Sequence, residues 1–177
     1  MAEPTVSVFG TSRARPGEPV FVLAEQVGRA LAQAGFVVAN GGYGGTMLAG
    51  AKGAAEAGGI VVGVTCSAFK RSVANEYVGR EIRTDSLDER LAALVEIAQA
   101  YVVLPGGTGT LLELASVWEL KNKKFLDGDK PIVLLGDFWK PVLDVVSVDD
   151  PRSVERIVLA DTPADAVARI RKAWSLS

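Results

Sequence analysis

The residues best placed to do chemistry sit in the run Pro105-Gly106-Gly107-Thr108-Gly109-Thr110-Leu111-Leu112-Glu113. An apolar stretch ends at the proline. Bare backbone and two hydroxyls follow, and a carboxylate opens a helical pattern. Glycines ahead of a helix leave unpaired N–H groups where the helix dipole favours an anion, so this run fits a phosphate cradle with an acid beside it. Two other runs are built alike: Gly10-Thr11-Ser12, and Asn40 to Thr46 with Gly42, Gly44, Gly45 and Thr46. Neither glycine-rich loop is a standard phosphate motif. The Walker pattern needs Gly-Lys-Ser/Thr, and no lysine is supplied. The dinucleotide fingerprint needs glycine or alanine where Met47 and Leu112 stand. What remains is a monophosphate-sized cradle.

Histidine is absent from the 177 residues, which removes Ser-His-Asp and Cys-His catalysis and every His-ligated zinc site. Chemistry must then run on carboxylates, arginine, hydroxyls and backbone, and no metal or cofactor is called for. Cys66 is the single cysteine, so no intrachain disulfide forms and a reducing cytoplasm is the expected location. A net charge of −2 argues against a general nucleic-acid or membrane-surface binder. No leader-like segment or membrane-length apolar run is visible.

These loops need elements to hold them. Apolar, β-branched runs at 5–9, 36–39, 60–65, 101–104 and 131–135 read as buried parallel strands, with a short one at 156–159. Helical spacing predicts helices over 18–34, 46–57, 87–98, 111–123, about 139–146, and 163 to about 174. The polar stretch 66–84 reads as irregular, a loop that could cover a site. Such alternation with short connections predicts one domain, 1–177, of the α/β class: a doubly wound, Rossmann-like, mostly parallel sheet with helices on both faces. In that architecture ligands bind at the carboxyl ends of the strands, where all three small-residue runs fall.

The nine residues from Pro105 to Glu113 match PGGxGTxxE, and on them the chain resembles the LONELY GUY family, the cytokinin riboside 5′-monophosphate phosphoribohydrolases long mislabelled lysine decarboxylases. Val8-Phe9-Gly10-Thr11-Ser12 is similar to the family's opening strand and turn, Asn40 to Thr46 to its second glycine loop, and 130–135 to a downstream strand. Leu87-Asp88-Glu89-Arg90-Leu91 stands where the family has Met-His-Glu-Arg-Lys; only the glutamate and arginine are kept. The resemblance implies hydrolysis of a nucleoside 5′-monophosphate, AMP or an N6-substituted AMP, to free base and ribose 5-phosphate. It implies Arg90 and Glu113 as catalytic residues. Glu113 would stabilise an oxocarbenium-like transition state or activate water. Arg90 would keep Glu113 ionised and contact the sugar or phosphate. Binding would fall to Gly10, Thr11, Ser12, Gly42, Gly44, Gly45, Thr46, Gly106, Gly107, Thr108, Gly109 and Thr110. A homodimer with sites near its interface is implied too, helped by apolar faces on 87–98 and 111–123. Molybdenum-cofactor carriers share similar glycine signatures, so a non-catalytic nucleotide or cofactor carrier is the alternative, with a regulatory nucleotide-binding subunit as a third.

Spacing alone leaves blander roles open. Thr110 and Glu113 form T-x-x-E and could close a capping box, as Ser86 and Glu89 could one helix earlier, with Arg90 then a flank residue. Trp118 and Leu114 read as core or interface, Lys121, Lys123 and Lys124 as a solvated helix end, and Cys66 as a buried apolar residue.

Overall fold

The computed structural model describes residues 4–70, 73–126 and 128–175. Seven strands form one wholly parallel sheet: β1 Thr5–Phe9, β2 Val37–Asn40, β3 Val61–Cys66, β4 Arg80–Thr84, β5 Ala100–Val103, β6 Ile132–Leu135 and β7 Ile157–Ala160, in spatial order β4-β3-β2-β1-β5-β6-β7. The chain starts at the centre, winds outward to β4, then returns to β5 beside β1 (Val6 opposite Ala100, Phe9 opposite Val103). The doubly wound parallel sheet expected from the alternation is therefore the observed one. Its switch of winding direction lies between β1 and β5, where a crevice opens at the carboxyl ends.

Side-chain alternation along each strand divides the core between the two faces. Val6 and Val8 of β1, with Val102 of β5, pack with helices α1 (Pro19–Gln33), α2 (Thr46–Glu56) and α7 (Pro163–Ser175). Phe9, Tyr101 and Val103 face the other way, with α3 (Leu87–Glu96), α4 (Thr108–Asn122) and α5 (Lys140–Asp149). Buried polar groups tie α3 to this second face: Ser7 Oγ donates to the Leu94 carbonyl at 2.7 Å and Tyr101 Oη to the Val95 carbonyl at 2.8 Å. A one-turn helix α6 (Pro151–Val154) precedes β7.

Three readings change. The stretch 66–84 ends in a strand, β4, hidden from pattern analysis because four of its five residues are exposed or half-buried on an edge. Helix α4 starts at Thr108 rather than 111, because the first turn forms despite a glycine and two threonines. Lys121 is not solvated: its ammonium bonds Asp129 at 2.6 Å and the Lys130 carbonyl at 2.8 Å, pinning the end of α4 to the approach to β6. Trp118 and Leu114 are core, as is Cys66. Among the described residues no helix is long and apolar enough to cross a membrane.

Candidate active site

The early start of α4 decides how Glu113 is to be understood. With Gly107 as N-cap and Thr108 as the first helical residue, Glu113 lies in the second turn, too far along to close a capping box. No side chain caps this helix at all. One helix earlier the Ser86 half of the expected box forms, its side chain accepting from the Glu89 amide at 3.2 Å, while the Glu89 carboxylate reaches past the cap to accept from the Asp85 amide at 2.9 Å. Ser86 thereby aims α3 so that Arg90, in its first full turn, points back across the sheet end.

Arg90 is no flank residue. It is 7% exposed. Its Nε donates to the Val64 carbonyl of β3 at 2.8 Å, and its guanidinium lies 5.6 Å from the Tyr43 ring centre and 5.5 Å from that of Phe69. Aromatic faces attract a guanidinium and strip its water. Tyr43 is itself fixed, its hydroxyl accepting from the Cys66 amide at 2.7 Å and donating to the Cys66 carbonyl at 3.2 Å. A Cβ at Gly41 would overlap the guanidinium. Gly41 is thus bare to make room for Arg90.

Arg90 Nη1 lies 3.9 Å from Glu113 Oε1, across from α3 to α4. The expected effect of this pairing was a firmly ionised Glu113. Instead, burial pushes the Glu113 carboxyl up to about 7, with Arg90 pulling only partly the other way. The reason is geometric. The pair is at the long edge of ion-pair range, and Arg90 spends its Nε on Val64. A carboxyl titrating near neutrality can hold or release a proton under physiological conditions.

Arg90 and Glu113 share one cavity of about 640 Å³ with Gly10, Thr11, Ser12, Gly107, Thr108, Gly109 and Thr110, at the β1/β5 switch point. That volume suits a small organic ligand. The amides of the first turn of α4 have no intrahelical partner. Thr110 is 3% exposed and its hydroxyl makes no hydrogen bond among the described residues. The three loops are stitched together. The Thr11 amide donates to the Pro105 carbonyl at 3.1 Å, and the Thr11 carbonyl accepts from both the Thr46 amide at 2.9 Å and its hydroxyl at 3.0 Å.

The remaining loop residues stand outside the cavity. Gly42 donates its amide to Asn40 Oδ1 at 2.8 Å, Thr46 spends both its groups on Thr11, and Gly45 packs against the backbone of Thr11 and Ser12. Gly44 is exposed, and Gly106 lies under the Thr110 side chain. Leu87 and Leu91, which stand where the resembling family has methionine and lysine, line the cavity, and so do Arg13, Tyr43, Met47, Phe69 and Leu112, to which sequence reasoning assigned no site role. Only Arg13 carried a signal, as a cation directly after a strand-end loop. A larger hollow of about 810 Å³ runs between α3 and α4, lined by Leu91, Val95, Ala115, Leu120, Phe125 and others. It holds no arginine and no glycine loop, and Leu91 lines both hollows.

Residues 3–167 match the model of the SLOG cluster4 family. The chain is 34% identical to a protein of Mycobacterium tuberculosis named cytokinin riboside 5′-monophosphate phosphoribohydrolase, over 92% of this chain and 91% of that one. Its fold superposes on the molybdenum cofactor binding protein of Rippkaea orientalis with a TM-score of 0.80 and 26% identity, covering 97% of this chain and 98% of that chain. The molybdenum cofactor carrier protein of Chlamydomonas reinhardtii gives 0.77 and 26%, covering 98% and 99%.

Proposed function

The chain belongs to the SLOG cluster4 family, and from that premise we propose that it is a phosphoribohydrolase, cleaving the N-glycosidic bond of a nucleoside 5′-monophosphate. Relatives carrying that activity in their names match along nearly the whole chain. One observation carries the reading: a desolvated Glu113, paired at 3.9 Å with a buried Arg90, in the same cavity as an uncapped helix start and a free Thr110 hydroxyl. Phosphate would sit on the first turn of α4, which sets the sugar beside Glu113 one turn further along. The glycosidic bond breaks with its electron pair leaving on the base nitrogen, and the sugar carbon becomes oxocarbenium-like. Ionised Glu113 stabilises that charge and accepts a proton from the attacking water. The base takes up a proton, and the products are free base and ribose 5-phosphate.

Because the ionised form is the working one, kcat/KM should rise with pH through about 7, the region to which burial moves Glu113. A screen of nucleoside monophosphates, AMP and N6-substituted AMP first, read as free base by chromatography, tests the proposal. Release from none of them would contradict it. The carrier reading has its own support in the two molybdenum-cofactor protein folds. It predicts a ligand that co-purifies and is recovered unchanged. The homodimer belongs to the proposal as well, with the apolar α3/α4 groove and its 74%-exposed Phe125 as the contact face. A monomer by light scattering at micromolar concentration would contradict it. Assignment to the cytoplasm as a single domain completes the reading, and export of the full-length protein in its host would overturn that location.

A further inference from the structure

Arg13 lies outside every role described so far. It follows Gly10-Thr11-Ser12 at the carboxyl end of β1, its amide donating to Thr11 Oγ1 at 3.1 Å, so the loop closes on itself and fixes where the side chain leaves. The side chain crosses the cavity mouth to the facing loop. Its Nη2 would stand 2.9 Å from a Cβ built on Gly107, the N-cap of α4. It is exposed, lines the cavity, and forms no ion pair among the described residues. The other arginine of the site, Arg90, is committed to the Val64 carbonyl and the Glu113 carboxylate.

A second observation points to a ligand at the same place. Thr110, 97% buried by its 3% exposure, turns an unpaired hydroxyl into the cavity from the first turn of the fifteen-residue helix α4. Free amides, a free hydroxyl and an unpaired guanidinium thus converge from two loops. Amides and a hydroxyl alone attract an anion weakly and cannot neutralise a dianion. A guanidinium fork supplies the charge and two parallel donors, which suits a phosphomonoester.

We propose that Arg13 is the recognition residue for the phosphomonoester dianion, closing over it against the start of α4 and making the site selective for phosphorylated ligands. This rests on the phosphate position taken in the proposed function, but not on turnover. Gly107 leaves the space that Arg13 enters. A side chain at position 107 would fill it.

The test compares the wild-type chain with Arg13→Gln and Arg13→Lys, using AMP, adenosine and ribose 5-phosphate as probes in thermal-shift and calorimetric titrations. Arg13 is exposed, so both variants should fold with near wild-type melting temperatures. AMP and ribose 5-phosphate should stabilise the wild type and adenosine should not. Arg13→Gln should weaken both phosphorylated probes by about ten- to a hundredfold, with Arg13→Lys intermediate. In turnover the loss should appear mainly in KM. Equal affinity of wild type and Arg13→Gln for ribose 5-phosphate would overturn the proposal, even if bases are released. If no base is released but the binding pattern holds, Arg13 keeps its role and the hydrolase reading falls instead.

Discussion

Two glycine-rich loops look interchangeable in the sequence, and the fold uses them differently. The loop after β2 bares Gly41 for Arg90 but takes its next glycines for backbone: Gly42 and Gly45 have φ of 76° and 65°, which side chains rarely tolerate. Its polar groups are turned inward, with the Gly42 amide on Asn40, the Gly42 carbonyl on Asn75 at 2.7 Å, and Thr46 on Thr11. The loop after β5 has no glycine with positive φ. Its glycines provide space: for Thr110 at Gly106, for Arg13 at Gly107, and for nothing at all within 4 Å at Gly109. A loop whose donors are already used is scaffold. One whose donors are left open is a binding surface.

Substitutions sharpen this contrast. Gly45→Ala should be the most damaging to stability, since a Cβ would strike the backbone of Ser12 and Thr11 at a φ of 65°. We expect a loss of about 3 kcal/mol or more in urea unfolding. A loss under about 1 kcal/mol would mean the loop is not the rigid scaffold described here.

Glu113→Gln should act in the opposite direction, and only at some pH values. Burial raises the folded-state pKa of Glu113 from 4.5 to about 7, so the folded chain holds a proton that the unfolded chain releases across that window. The wild type therefore loses stability as pH rises from 4.5 to 7, by up to about 3 kcal/mol. Glutamine carries no such penalty. The variant should be the more stable protein at pH 8 and equal to wild type near pH 4. Equal melting temperatures at pH 8 would show that Glu113 is not desolvated.

Gly109→Ala should have the smallest effect on folding. It occupies the first turn of α4 with open space around it, and alanine favours the helix by up to about 1 kcal/mol. Its cost should fall on AMP affinity, because the methyl group enters the cavity. Unchanged AMP affinity in titration calorimetry would move the phosphate away from this loop.

What could be read in advance follows from the range of the interactions involved. Buried strands such as Ile132–Leu135 declare themselves through unbroken apolar runs. Edge strand β4 does not, since Arg80, Glu81 and Arg83 face solvent and resemble loop. The nine residues ending at Glu113 are contiguous and so stood out, but where α4 begins depends on packing that overrides the poor helix propensity of Gly109. Tyr43, Phe69 and Gly41 shape Arg90 across gaps of 20 to 50 residues in sequence, and no local pattern marks such contacts. Spacing alone therefore makes Arg90 an ordinary flank residue; only the resemblance singles it out, and its burial comes from these distant contacts.

The most direct measurement of the central claim is adenine release from AMP by wild type and Glu113→Gln, made alongside AMP binding to both. The account predicts turnover reduced by about a hundredfold or more in the variant, with AMP affinity largely kept. Wild-type rates of adenine release from Glu113→Gln would contradict it and leave Glu113 a buried carboxyl without a catalytic role.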